Sequence, residues 1–374
     1  MHFQKKMSRF SSNFWCLLPL SWIYGLAVSL RNKLFDWGVF SEEKFPVPVI
    51  SIGNITVGGT GKTPHTEYLI RILCEKYRVA VLSRGYKRKT RGFVLANEKS
   101  NSSQIGDEPL QIHLKFPSVV VAVDTNRRRG IRKLLQLSSE LKPEVILLDD
   151  AFQHRYVKPS LSILLTDVNR PFYNDCILPA GRLRENQKNY KRADWIIYTK
   201  CPESFSSCDY QTSVEEINLQ QHQQLFFSSY RYKNLFPVFP ENNPVKEITI
   251  EQLNLENGKT MLVTGLANPS GLIDYVKKYT QDLKTVVFPD HHDFTRKDIR
   301  EMMNFIKNEA KDNKHIITSE KDAMRLISNR LVPDGIKPFI YCLPIEVVIN
   351  FNEELFKQNI ENHVAQFKRN GIMA

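Results

Sequence analysis

The run Val47-Pro48-Val49-Ile50-Ser51-Ile52-Gly53-Asn54-Ile55-Thr56-Val57-Gly58-Gly59-Thr60-Gly61-Lys62-Thr63-Pro64 constrains this chain more than any other segment. An apolar, β-rich stretch enters a glycine-rich turn that closes on Gly-Lys-Thr, and a helical pattern follows in Glu67, Leu69, Ile70, Ile72 and Leu73. Strand, glycine turn and helix in that order make a phosphate-binding loop. Glycines let backbone N–H groups close round phosphate oxygens, and the positive end of the following helix adds to the attraction. The expected nucleotide cradle is therefore Thr56, Val57, Gly58, Gly59, Thr60, Gly61, Lys62 and Thr63. Lys62 is placed to reach the β- and γ-phosphates, and the Thr63 hydroxyl to ligate Mg²⁺. One position departs from the common G-x-x-x-x-G-K-[ST] spacing, which asks for glycine where this chain has Thr56.

A triphosphate loop needs a carboxylate at the end of a neighbouring strand, because Mg²⁺ requires hard oxygen ligands beside the phosphates. Val145-Ile146-Leu147-Leu148-Asp149-Asp150 has that form, an apolar strand ending in two acids. A helix cap explains one aspartate but not easily the pair, so Asp149 and Asp150 are the candidate metal carboxylates. Gln153 and His154 follow in the same strand-end segment.

Elsewhere apolar β-type runs alternate with helical patterns: Val79 to Leu82, Val119 to Val123, Leu161 to Leu165 and Trp195 to Tyr198. Such alternation predicts an α/β fold, a P-loop core with a mostly parallel sheet and ligands at the strands' carboxyl ends. Prolines and asparagines between Pro237 and Pro244 mark a linker or ribbon, and a second α/β set begins at Met261. The expected division is an N-terminal segment 1–40, a P-loop core 41–235, and a smaller α/β lobe 236–374 joined by a hinge or ribbon.

The N-terminus breaks the soluble pattern. Phe14 to Leu30 carries no charge, with Lys5, Lys6 and Arg9 before it and Arg31 and Lys33 after it. A secretory signal has the right polarity, but cleavage would send a nucleotide-dependent domain where nucleotide is scarce. A spanning helix usually needs about 20 apolar residues, and Pro19 interrupts this stretch. An interfacial anchor, with tryptophans at headgroup depth and cations on anionic lipid, is the favoured reading. A helix packed plainly on the core is the remaining one. The net charge of +12 fits an anionic partner without choosing among nucleic acid, acidic membrane and phosphorylated substrate. Six cysteines without C-x-x-C pairing fit reduced thiols in a cytosolic compartment.

Other groups suit an anionic substrate. Ser83-Arg84-Gly85-Tyr86-Lys87-Arg88-Lys89 and Leu178-Pro179-Ala180-Gly181-Arg182-Leu183-Arg184-Glu185 are basic segments that follow strands. Arg127-Arg128-Arg129 is less informative, because it lies in a helical pattern. If a hydroxyl attacks the γ-phosphoryl group, something must accept its proton. Asp107, in Gly106-Asp107-Glu108-Pro109, and His291, in Asp290-His291-His292-Asp293, are a candidate pair across the two lobes, although the second motif equally suggests a metal cluster or a turn.

Taken in order, Ile52–Pro64, Ser83–Tyr86, Gly106–Pro109, Leu148–His154, Leu178–Glu185, Asp290-His291 and Thr318–Asp322 resemble the tetraacyldisaccharide 4′-kinase family, the lipid A 4′-kinases of Gram-negative bacteria. The resemblance covers roughly residues 45–325 and includes threonine at position 56. It implies ATP- and Mg²⁺-dependent phosphorylation of the 4′-hydroxyl of a tetraacylated, 1-phosphorylated glucosamine disaccharide. The expected location is the cytoplasmic face of the bacterial inner membrane, with a peripheral or monotopic anchor and no nucleic-acid partner. Carried over, Lys62 holds the triphosphate, Thr63 with Asp149 or Asp150 serves the metal, and Asp107 oriented by His291 is the base. Arg84, Tyr86, Arg184 and Glu185 line the reacting phosphates or sugar, with Arg184 also counted as catalytic and Glu185 as a metal ligand. His154 receives no firm role, and Leu219–Asn243 matches nothing in the family pattern.

A membrane-associated regulatory NTPase shares the loop, the acids and the anchor. It does not account for Asp107 with His291 or for the arginines after Pro179, and no Asn-Lys-x-Asp guanine-reading segment is present. A nucleic-acid-dependent ATPase fits the charge alone, since basic residues are not interleaved with stacking aromatics.

Overall fold

The computed structural model describes residues 14–253, 258–280, 282–290, 292–308 and 314–372 of the 374-residue chain. Helix α1 (Phe14–Asp36) is followed by strand β1 (Val49–Gly53), the phosphate loop and α2 (Lys62–Leu73). Next come β2 (Val79–Ser83), β3 (Val94–Leu95), α3 (Ser102–Ile105), α4 (Asp107–Lys115), β4 (Val120–Val123), α5 (Arg127–Leu135) and β5 (Val145–Asp149). The chain continues through β6 (Leu161–Asp167), β7 (Trp195–Thr199), α6 (Ser207–Ile217) and β8 (Gln224–Tyr232). A second set comprises β9 (Phe236–Pro237), β10 (Lys259–Thr264), α7 (Ser270–Lys277), β11 (Leu283–Val287), α8 (Arg296–Asn308), β12 (Lys314–Thr318), α9 (Glu320–Ile327) and β13 (Ile340–Cys342). Strand β14 (Ile345–Asn350) and helix α10 (Glu353–Ile372) end it.

Among the described residues, nine strands form a large sheet in the order β14-β8-β7-β6-β1-β5-β2-β4-β3, and five form a small one, β11-β10-β12-β13-β9. Strand β1 lies between β5 and β6 and is parallel to both. Its five residues are all buried, as a parallel strand covered on both faces requires. Helices α2 and α10 pack on one face, where Leu69, Leu73, Phe356, Ile360 and Val364 meet Ile50, Ile52 and Leu147. Helix α5 covers the other through Ile131 and Leu134 against Leu82, Ile146 and Leu148. The order reverses beside β1, so the crevice outside the carboxyl ends of β1 and β5 is where a ligand belongs.

The expected lobe 236–374 needs correction. Only its part up to Cys342 builds the small sheet; β14 pairs antiparallel with β8, from Ile345↔Tyr232 to Asn350↔Phe227, and rejoins the large one. Val347 and Ile349 drive this return, because burying them requires the apolar face that α10 completes. Residues 219–243, which the sequence motifs leave unplaced, supply β8 and β9 on either side of the crossing. The sheets also share core: Ile105 and Leu110 from α3 and α4 cluster with Met261, Ile316, Ala323 and Leu326.

Helix α1 presents two unlike faces. Trp22 and Leu26 are each 73% exposed, whereas Ser21, Asn32 and Phe35 are buried. Its buried face is tied to the protein by Tyr24 Oη donating to the Arg184 carbonyl (2.9 Å) and Arg31 Nη2 to the Gln153 carbonyl (3.0 Å). Among the described residues no helix is long and apolar enough to cross a membrane. One face of the helix is thus packed on the protein, and the other is exposed and apolar.

Candidate active site

The phosphate loop is shaped by two glycines in left-handed conformations, Gly58 (φ 106°) and Gly61 (φ 86°). At Gly61 any side chain is excluded as well, because a Cβ would stand 1.8 Å from the Tyr230 hydroxyl. Threonine is tolerated at position 56 because its backbone is not left-handed: Thr56 bridges antiparallel to Leu183, and Val57 N–H donates to the Arg182 carbonyl at 2.8 Å. Helix α2 starts at Lys62 with no side-chain cap on its N-terminus, so its first amides and the helix dipole face the crevice. Asn54 Nδ2 donates to Thr60 Oγ1 at 2.7 Å and steadies the loop from within.

Two unlike carboxylates stand opposite. Asp150, in a left-handed conformation (φ 47°), lies 3.7 Å from Lys62 Nζ and 2.9 Å from Arg184 Nη1. Burial opposes its ionisation, yet those two cations hold its carboxyl below the usual range. Asp149 is buried to 1% exposure and accepts only a 3.3 Å bond from Thr66 Oγ1, among the described contacts of its side chain. Arg127 reaches its backbone carbonyl (3.4 Å) rather than its carboxylate. Burial first, then the charges of Glu108 and Asp150, push the Asp149 carboxyl up to about 7. A cation beside Thr63 and Asp149 would relieve that repulsion, so this donor set fits Mg²⁺. No group of three or more His, Cys, Asp or Glu among the described residues has the geometry of a metal cluster.

Asp107 opens α4. The turn before it packs on the Arg84–Tyr86 loop through two glycines: a Cβ on Gly85 would meet the Ile105 carbonyl at 2.9 Å, and one on Gly106 the Tyr86 carbonyl at 3.0 Å. Both glycines are left-handed, so two segments distant in sequence are brought into backbone contact. Arg84 and Tyr86 are exposed above them. Asp107 accepts from Arg325 Nε at 2.8 Å, and Arg325 is held in turn by Asp322 at 2.9 Å. Lys321 pairs with Asp290 at 2.9 Å and lies 3.6 Å from Glu108, so α9 brings cations to α4. His291 lies outside the described residues.

The loop after Pro179 divides its expected roles. Arg184 faces the site through Asp150 and Gln153 (3.3 Å). Glu185 does not match a metal ligand: its two oxygens accept from Asn32 (3.1 Å), Gln153 (2.9 Å), Asn189 (2.7 Å) and Arg192 (3.0 and 2.9 Å). It ties α1 to the strand-end loops. His154 is held neutral, its pKa lowered to about 4 by burial and then by Arg127, Arg31, Arg128 and Arg84. Glu108 was not singled out in the sequence although it follows Asp107; the first turn of a helix opening at a strand end was the available signal. Lys200 and Tyr230 also went unmarked, because no local pattern points from them to the loop.

A cavity of about 390 Å³ lies between the sheets, lined by Gly59–Pro64, Glu108, Lys200 and Tyr230 on one side and by Asn268, Asp290 and Lys321 on the other.

Comparison with known proteins bears on this arrangement. The family described as Tetraacyldisaccharide-1-P 4'-kinase matches residues 13–365. The tetraacyldisaccharide 4'-kinase of Bacteroides thetaiotaomicron is 51% identical over 358 residues, spanning 95% of this chain and 94% of the relative. That of Flavobacterium psychrophilum is 44% identical over 361 residues, spanning 95% and 98%. Among solved structures, the "apo" form of LpxK from Aquifex aeolicus in complex with ATP superposes with a TM-score of 0.71 at 29% identity, over 94% of this chain and 99% of that one.

Proposed function

The chain belongs to the tetraacyldisaccharide 4′-kinase family, and on that footing we propose which of its residues carry the transfer. The reaction is ATP-dependent phosphorylation of the 4′-hydroxyl of a tetraacylated glucosamine disaccharide 1-phosphate, a step of lipid A biosynthesis. A hydrolytic switch is not favoured. The observation that carries the residue assignment is the phosphate loop and Glu108, the neighbour of Asp107, on one cavity, with Asp150 3.7 Å from Lys62 Nζ and Asp149 within the charge field of Glu108, Asp150 and Lys62.

The loop amides and Lys62 hold the β- and γ-phosphates, where fixed donors stabilise charge without reorganising. Thr63 and Asp149, with Glu108 near by, would hold Mg²⁺, which supplies charge neutralisation at the phosphate oxygens. Lys62 and Arg184 keep Asp150 ionised, both lying on its Oδ1. Asp107 takes the proton of the sugar hydroxyl. Its contact with Arg325 favours the carboxylate form that a base needs, and His291 is proposed as its second partner on the strength of the family resemblance. Arg84 and Tyr86 line the sugar, and the positive field of Arg31, Arg84, Arg127 and Arg128 around His154 suits the anionic lipid head.

A lipid acceptor accounts for α1. Its exposed Trp22, Ile23 and Leu26 would sit in the headgroup region of the cytoplasmic leaflet of the inner membrane, while Tyr24, Arg31 and Asn32 connect that surface to the Arg184 loop. The two sheets, joined by chain crossings at 232–236 and 342–345, would close over the nucleotide and exclude water. Superimposable scattering profiles with and without ATP analogue and acceptor would remove support for closure. The decisive assay supplies labelled ATP and disaccharide 1-phosphate lipid: label should appear in a bisphosphorylated lipid, and release to water alone would refute the assignment.

A further inference from the structure

The carboxyl end of β7 reaches the phosphate loop and takes hold of two consecutive carbonyls. Thr199, fully buried, donates its hydroxyl to the Thr60 carbonyl at 3.0 Å. Lys200, the next residue, places its ammonium on the Gly59 carbonyl and on Asp167 Oδ2 at 2.7 Å. Asp167 is itself buried, with Oδ1 accepting from the Asn169 N–H at 3.0 Å, so the lysine is anchored at its tip. Lys200 also adopts φ 61°, a left-handed conformation unfavourable for a residue with a Cβ. A strand end that carries backbone strain and an ion pair to touch a loop main chain points to function rather than to packing.

What the contacts do follows from the planarity of the peptide unit. In a trans peptide the C=O of one residue and the N–H of the next point in opposite directions. Fixing the Thr60 carbonyl on Thr199 therefore turns the Gly61 N–H away from β7. Fixing the Gly59 carbonyl on Lys200 sets the neighbouring plane, whose Thr60 N–H lies on the Gly58 carbonyl at 3.0 Å. Two peptide planes that each adjoin a glycine are thus held from outside the loop as well as from within it. Lys200 lines the same cavity as Gly59, Gly61 and Lys62.

We propose that Thr199 and Lys200, braced by Asp167, are positioning residues: Lys200 steadies the 59–60 peptide plane, and Thr199 sets the 60–61 plane so that the Gly61 N–H is presented to the β- and γ-phosphates of the nucleotide. The pair acts through the loop rather than on the acceptor, so its contribution grows with the number of phosphates bound. It depends on the loop holding a triphosphate and is indifferent to which alcohol receives the phosphoryl group.

The test uses the full-length chain in detergent, with Thr199→Val, Thr199→Ser, Lys200→Met and Lys200→Arg. Equilibrium binding of AMP, ADP and a non-hydrolysable ATP analogue with Mg²⁺ is measured beside KM and kcat for transfer and the thermal midpoint. Thr199→Val and Lys200→Met should each weaken the ATP analogue about tenfold, the scale of one lost hydrogen bond near charge, and AMP less than about twofold. KM for ATP should rise while kcat stays within about threefold, and Thr199→Ser and Lys200→Arg should restore most of the loss. Equal losses for all three nucleotides, unchanged affinities in folded variants, or losses that track the thermal midpoint would overturn the clamp. If Thr199→Val does not fold, half-buried Lys200→Met carries the comparison. Wild-type protein that binds none of the three nucleotides would overturn the nucleotide reading itself, and the clamp with it.

Discussion

Asp149 and Glu185 are equally buried carboxylates, each 1% exposed, yet they sit in opposite electrostatic surroundings. Glu185 accepts from four side chains, one a guanidinium, and joins α1 to the loop behind the site. Asp149 has one long hydroxyl bond, two like charges near by and a carboxyl pushed up to about 7. A carboxylate whose hydrogen-bonding capacity is already filled is structural. One left under-satisfied beside a phosphate loop is held ready for a cation, and the charge distribution distinguishes them where burial does not.

Substitutions should separate the two behaviours. The largest effect belongs to the proposed base: Asp107→Asn should lower turnover about 10³-fold with ATP-analogue binding retained, as expected when a proton acceptor is lost. Unchanged turnover in the labelled-ATP assay would exclude it. Asp149→Asn should lower turnover roughly 10²-fold, since it removes a charge serving the metal, while raising the thermal midpoint of nucleotide-free protein at pH 8. The sign follows from its raised pKa: the carboxyl is held near 7 against an ordinary 3.8, so folded protein binds the extra proton between those values. Stability from that group is complete below about pH 4 and lost as pH rises through about 7. The gain of the variant should therefore shrink to nothing as melting is repeated toward pH 4. Glu67, also pushed up to about 7 by burial and Glu320, titrates in both proteins and cancels from the difference. A midpoint gain independent of pH would contradict the charge argument.

Glu185→Ala should behave in the reverse way, costing about 3 kcal/mol of stability by leaving Arg192 without its partner. Denaturant unfolding read against residual activity would check this, and a stable but inactive variant would return Glu185 to the chemistry. The smallest effect is expected on α1. Trp22→Ser with Leu26→Ser should weaken co-sedimentation with anionic vesicles about tenfold, leaving ATP-analogue affinity untouched. Unaltered sedimentation would remove the exposed face from the lipid contact.

The phosphate loop was legible because its chemistry is local: strand, glycines, Lys62 and Thr63 are contiguous, and no distant contact is needed to recognise them. Asp149 and Asp150 were legible for the same reason. The position of Tyr230 against Gly61 was not, since 169 residues separate them in the chain. Nor was the return of β14 to β8, which rests on burying Val347 and Ile349 in the core of the large sheet, far from β14 along the chain. The four donors that fold around Glu185 were not legible either, because its position beside Arg184 says nothing about them.

Sequence alone therefore determined the class of chemistry: a triphosphate loop, acids at the adjoining strand end and an uncharged apolar N-terminal segment flanked by cations follow from residue order and spacing. Tertiary structure alone decided how each charged group is used. Ionisation and hydrogen-bond satisfaction depend on which groups lie within a few ångströms in space, and that distance is independent of separation along the chain.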